Sequence, residues 1–203
     1  MAAHNTVFIV DDDRDFRDSL AWLIEGAGYQ VVSFESAESF LFGYQSEPGC
    51  LILDVRMSGM SGLQLQQEIV QRGYRLPVIM ITGHGDVSMA VQAMKNNAVD
   101  FIEKPFEDVA MLALIDKTLA ANEKQLLRQG MHDSILSCWA QLSRRENDVA
   151  RLVIKGLANR EVAEKLDISI KTVEIHRSRV MSKMKVKRLA ELMDKVAVIK
   201  TSL

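Results

Sequence analysis

Two short apolar runs that end on acid groups constrain this 203-residue chain more than any other feature. Val7-Phe8-Ile9-Val10 leads straight into Asp11-Asp12-Asp13, and Leu51-Ile52-Leu53 ends on Asp54. Runs of this kind, bounded by polar residues, read as strands buried on both faces of a parallel sheet, whose ligands sit beyond the carboxyl ends of the strands. Asp11, Asp12 and Asp54 are therefore expected to converge at one edge. Crowded carboxylates repel and raise one another's pKa, and they suit a place where a hard cation with oxygen ligands sits among them. The simplest reading is a Mg²⁺ pocket.

Two later runs extend that edge. Pro77-Val78-Ile79-Met80-Ile81 ends at Thr82, and Val99-Asp100-Phe101-Ile102-Glu103 is followed by Lys104-Pro105. As neighbouring strands of the same sheet they deliver a hydroxyl and an ammonium to the acids. This set suits phosphoryl transfer: an Asp attacks as nucleophile, Mg²⁺ and Lys neutralise phosphoryl oxygens, and Thr hydrogen-bonds one of them. Asp54 is the candidate nucleophile. A lone Thr or Lys would carry no such meaning; the order along the chain and the strand-end positions do.

The order VDD, D, T, KP over residues 7–105 resembles the receiver domain of two-component response regulators. The stretches Ile81-Thr82-Gly83-His84-Gly85-Asp86-Val87 and Ala98 to Asp108 look like the FixJ subfamily. The resemblance implies that Asp54 accepts phosphate from a sensor histidine kinase. It implies that Asp12 and the Arg56 backbone carbonyl bind Mg²⁺ with Asp54, that Asp11 acts partly through water, and that Thr82 and Lys104 bind the phosphoryl group. By the same analogy Thr82 and Phe101 form the switch, a cis peptide joins Lys104 to Pro105, and Arg56 and His84 flank the pocket. One departure is visible: where the family usually has Pro after Asp54-Val55-Arg56-Met57, this chain has Ser58, which predicts a less rigid loop.

The neutral-looking net charge of −2 hides two unlike halves. Residues 1–129 hold 18 acidic and 10 basic residues, net −8, whereas residues 130–203 hold 9 and 15, net +6. A basic half points to nucleic acid, because neutralising phosphates releases counterions. Strands are predicted near 6–10, 31–34, 50–54, 77–81 and 98–102, and helices near 14–27, 36–44, 62–71, 86–95 and 107–128. Five such repeats predict an α/β, doubly wound, five-stranded parallel sheet, which the resemblance assigns to a CheY-like receiver over residues 1–121. Asp13 or Asp15 is expected to cap the first helix. Residues 122–140 form a linker that is partly helical, with Gly130 as its stop.

Residues 141–203 predict a small all-α domain. Ser143 and Glu146 form a capping box opening a helix over 144–155, Gly156 ends it, Asn159 caps a short helix, and Asp167-Ile168-Ser169 turns into a helix over 170–185. Two helices joined by such a turn place the second in the major groove. Leu142 to Glu146, Gly156 to Ala163 and Thr172 to Arg177 resemble the LuxR/NarL-type helix-turn-helix module. Val173, Val180 and Met184 are spaced as an inward stripe, so Glu174, Ile175, Arg177 and Ser178 are assigned to base edges and Lys171, Thr172, Arg179 and Lys183 to phosphates.

Together these readings predict a phosphorylation-activated transcriptional regulator that binds double-stranded promoter DNA. The resemblance adds a homodimer formed on phosphorylation through the receiver face at residues 86–104, with RNA polymerase as a further partner. Two rival readings are a constitutive DNA-binding regulator and a haloacid-type phosphatase using Asp11, which leaves the basic half without a task. No turnover of an external substrate is expected. Cys50 and Cys138 are too few for a disulfide framework, no apolar stretch reaches the roughly 20 residues that span a bilayer, and the amino terminus lacks a secretory pattern. A cytoplasmic location follows as the expectation.

Overall fold

The computed structural model describes residues 6–83 and 87–200. His84 and the first residue of the expected dimer face, Asp86, lie outside the described residues. The chain divides into two compact units, residues 1–125 and 126–203.

In the first unit, strands β1 (Thr6–Val10), β2 (Gln30–Phe34), β3 (Cys50–Asp54), β4 (Val78–Thr82) and β5 (Asp100–Glu103) form one sheet in the order β2-β1-β3-β4-β5, and every pairing is parallel. Helices α1 (Arg14–Gly26), α2 (Ala37–Gly43), α3 (Gly62–Gln71) and α4 (Val87–Lys95) fill the crossovers, and α5 (Asp108–Ala140) follows β5. Because successive side chains on a strand point to opposite faces, the apolar runs supply two cores. Phe8, Val10, Leu51, Leu53 and Met80 pack with Phe40, Leu65, Ile69 and Ala93 of α2, α3 and α4. Val7, Ile9, Ile52, Ile79 and Ile81 pack with Leu20 and Ile24 of α1 and Met111, Ile115 and Leu119 of α5. This is why β1, β3 and β4 read as unbroken apolar runs, while the edge strands β2 and β5 are only partly buried. The strand order reverses between β1 and β3, so the crevice at their carboxyl ends is the place where such sheets bind ligands.

Asp13 is the N-cap of α1, its carboxylate accepting from the amides of Asp15 and Phe16. Gly62 opens α3 so close to the preceding strand that an added Cβ would stand 2.0 Å from the Asp54 carbonyl oxygen. The Lys104–Pro105 peptide is cis, as the resemblance implies.

Two predicted boundaries are corrected. Gly130 does not stop the last receiver helix: α5, 33 residues long, runs through it to Ala140, and its final turns contribute Ile135, Cys138 and Trp139 to the core of the second unit. A glycine in a helix interior costs about 1 kcal/mol, less than the burial of those side chains returns. Asn159 does not cap the short helix either. The N-cap is Ala158, whose amide is accepted by the Glu161 carboxylate.

In the second unit α6 (Arg144–Ile154), α7 (Asn159–Leu166), α8 (Ile170–Lys183) and α9 (Leu189–Ile199) surround two apolar clusters. Ser143 and Glu146 form the predicted capping box of α6. Asp167 adopts the left-handed conformation at the end of α7, and Ser169 caps α8 after a three-residue turn. No described helix is long and apolar enough to cross a membrane.

Candidate functional site

Asp11 and Asp54 are brought together at the carboxyl ends of β1 and β3, 1% and 5% exposed. Lys104, one residue beyond β5, places its ammonium 2.8 Å from Asp11 Oδ2 and 2.9 Å from Asp54 Oδ1. The same ammonium lies 3.7 Å above the Phe16 ring, a cation–π contact that anchors it from the α1 side. Each acid has a second constraint: the Arg56 amide donates to Asp54 Oδ2 at 2.7 Å, and the Asp13 amide to Asp11 Oδ1 at 2.9 Å. Arg17 donates to the Asp11 carbonyl at 2.6 Å. Asp12 is not part of the lysine bridge. Its Oδ2 accepts from both the amide and the hydroxyl of Ser58, at 2.7 and 3.0 Å.

Burial pushes the Asp54 carboxyl above the ordinary carboxylate value, against the pull of Lys104. For Lys104 burial works against the charge, but the hydrogen bonds it donates to Asp11 and Asp54 prevail and hold the ammonium above its usual value. Asp12 is held below the ordinary carboxylate value, chiefly by the Ser58 amide. Three carboxylates and one ammonium leave two negative charges uncompensated, which is the deficit a divalent cation fills. Among the described residues no group of three or more carboxylate, imidazole or thiolate side chains is arranged to hold a metal ion by itself. Mg²⁺ does not need one, since it is held through one or two carboxylates and keeps several waters. The donor set therefore fits Mg²⁺.

Thr82 is fully buried at the end of β4, on the strand next to Asp54, and its carbonyl accepts from the Lys104 amide at 2.7 Å. Phe101 is half-buried on β5 and packs against the core on the α4 side of the sheet. Sequence reasoning brings together Asp11, Asp12, Asp54, Thr82 and Lys104, and the structure does so too. It misses Phe16, Arg17 and the Ser58 contact with Asp12. The only signal for Ser58 is its standing where the receiver pattern has proline.

Val173 and Val180 on α8 and Met184 at its C-cap are buried as the periodicity requires. Lys171, Glu174, Ile175, Ser178 and Arg179 form an exposed face, and Thr172 at its edge bonds Ser169 at the cap. Two assignments are corrected. Arg177 does not face outward: it is half-buried, and its guanidinium donates to Asn159 Oδ1 of α7. Lys183 is not a free cation, because its ammonium lies 2.6 Å from the buried Glu146 carboxylate and 3.1 Å from the Gln141 carbonyl. Both side chains hold the three helices together.

Residues 7–116 match the response regulator receiver domain, and residues 140–196 match the bacterial regulatory proteins of the luxR family. The chain is a two-component response regulator. Among relatives, this response regulator is 44% identical over 187 residues to the transcriptional regulatory protein FixJ of Azorhizobium caulinodans, covering 92% of this chain and 89% of that one. It is 42% identical to the transcriptional regulatory protein TdiR of Thauera aromatica, over 93% and 84% of the two chains. Among solved structures it is similar to the response regulator StyR, with a TM-score of 0.88 at 40% identity over 95% of this chain and 98% of that one. Full-length FixJ from B. japonicum matches with a TM-score of 0.60 at 38% identity, covering 97% and 98%. Its relatives are transcriptional regulators, the receiver implies a sensor kinase partner, and the luxR-type domain implies DNA binding.

Proposed function

We propose that the regulator is switched by phosphoryl transfer from a phosphohistidine of its sensor kinase to Asp54. The observation that carries this reading is the Lys104 bridge across Asp11 and Asp54 at the sheet's reversal point. In the reaction the Asp54 carboxylate attacks phosphorus, an acyl phosphate forms and the imidazole leaves with its electron pair. Asp12, Asp54 and the Arg56 carbonyl would hold Mg²⁺, with Asp11 acting partly through water, and the ion neutralises phosphoryl oxygens when bound. Lys104 follows the new charge, and Thr82, one strand away, hydrogen-bonds a phosphoryl oxygen.

The arriving dianion biases a two-state receiver rather than pushing it continuously. Phe101 packs inward in the phosphorylated state. The surface around it, residues 87–104, then dimerises; Val87, Val91, Met94 and Val99 are exposed there and support this assignment. Dimerisation presents two α8 helices to adjacent half-sites of promoter DNA, and RNA polymerase is the downstream partner. Glu174, Ile175 and Ser178 read base edges, with Lys171, Thr172 and Arg179 on phosphates. The protein turns over no external substrate and works in the cytoplasm.

With Mg²⁺ and acetyl phosphate, the wild type is expected to dimerise and to bind operator DNA more tightly, while Asp54→Asn does neither. Gel filtration and fluorescence anisotropy read the two effects; equal responses in both proteins would make the regulator constitutive. On the DNA side, Arg179→Ala is expected to weaken binding to all sequences and to lower the salt slope by about one, as one lost phosphate contact should. An unchanged slope would remove Arg179 from the interface.

A further inference from the structure

Asp12 is the one acid of the three that Lys104 does not hold. It is exposed, one residue further from β1 than Asp11, where an unrestrained side chain is free to turn into solvent. Instead the amide and hydroxyl of Ser58, from the loop between β3 and α3, converge on its Oδ2. The staple joins residues 46 positions apart and engages Oδ2 alone, so the Ser58 contact does not use Oδ1. Ser58 also lies two residues after Arg56, whose carbonyl the proposed function assigns to the same ion. One residue thus ties two ligand-bearing loops before any ion arrives. The proline of the receiver pattern has neither an amide hydrogen nor a hydroxyl and can make no such tie.

We propose that Ser58 is a positioning residue for the cation pocket, holding Asp12 and the Arg56 loop in the geometry that Mg²⁺ requires. The inference rests on the proposed Mg²⁺ site. Its chemistry is pre-organisation: the cost of fixing a charged side chain and a loop is met in folding, so less of the ion's binding energy is spent on it. Because both groups are exposed, the effect is smaller than for a buried bond to a charge.

Calorimetric titration of the unphosphorylated full chain with Mg²⁺ alone tests it. Ser58→Ala, which keeps the amide and loses the hydroxyl, is expected to raise the Mg²⁺ dissociation constant about fivefold. Ser58→Thr, which restores the hydroxyl, is expected to return it to within about twofold of wild type. The melting temperature without Mg²⁺ should be the same for all three proteins. The inference fails if Ser58→Ala binds Mg²⁺ as tightly as wild type or more tightly, which would make the bonds competitors of the ion. It fails equally if the weaker binding comes with a matching fall in melting temperature, which is a structural effect. Asp12→Asn separates the two levels: if wild type takes up no Mg²⁺, or Asp12→Asn binds it unchanged, the proposed cation site itself is wrong and the role of Ser58 falls with it.

Discussion

Gly62→Ala is expected to lower the unfolding free energy of the receiver unit by about 3 kcal/mol and its melting temperature by about 10 °C. The reason is contact, not backbone freedom. A methyl group at this position meets the Asp54 carbonyl oxygen at 2.0 Å and the Val55 Cα at 3.1 Å, both backbone atoms that cannot rotate away. The Gly62 amide donates to the Val55 carbonyl at 3.0 Å, so helix and strand are locked at that distance. Relief requires α3 to move off β3, which carries the Asp54 carboxylate out of line with Lys104. Thermal melting and acetyl phosphate labelling should therefore fall together. Gly130→Ala is the control: nothing lies within 4 Å of an added Cβ in the middle of α5, and alanine should stabilise the helix by about 1 kcal/mol. A Gly62→Ala protein that melts and labels like wild type would mean that the two elements are not packed as described.

Glu146→Ala is expected to cost the luxR-type unit about 3 kcal/mol. The carboxylate is 3% exposed and is shared by the Ser143 amide at 2.7 Å and the Lys183 ammonium at 2.6 Å. Removing it opens the reciprocal half of the α6 capping box and strands the lysine, whose partial exposure limits the loss through hydration. Acid titrates the same interaction. The Lys183 hydrogen bond, with the Ser143 amide, holds the Glu146 carboxyl down at about 2, against 4.5 for the free group. A depressed carboxylate stabilises the fold above its unfolded pKa, so this contribution is intact near neutrality and drains away as pH falls from 4.5 to about 2. The loss should be on the order of 2 kcal/mol after solvent screening at Lys183. In Glu146→Gln the same pH window should show a shallower decline by circular dichroism. Parallel declines in the two proteins would assign the acid sensitivity to other carboxylates.

The receiver is legible in the sequence because three of its five strands are buried on both faces and end on the residues that react. Val7 to Asp11, Leu51 to Asp54 and Val78 to Thr82 carry element, direction and chemistry in the same few letters. The helix-turn-helix is legible for a similar reason, since Ser143, Gly156, Asp167 and Ser169 mark its boundaries by local backbone demands. What escapes is tertiary. Gly130 looks like a stop until Ile135, Cys138 and Trp139 are seen packed in the second core. Helical spacing turns Arg177 and Lys183 outward, but their partners Asn159 and Glu146 lie 18 and 37 residues away. Ser58 reads as a weakened loop because its acceptor is 46 residues upstream.

The lysine bridge has a consequence for the order of synthesis. Its three members are the residue after β1, the last residue of β3 and the residue after β5, and Lys104 is 93 and 50 positions from its two acids. A ribosome therefore releases both acids long before their counterion exists. Until β5 emerges and pairs with β4, Asp11 and Asp54 lack the ammonium that bridges them in the finished domain. The pocket is therefore complete only once β5 has paired with β4 and brought Lys104 to the two acids, so an unfinished receiver carries the nucleophile without the ammonium that bridges it.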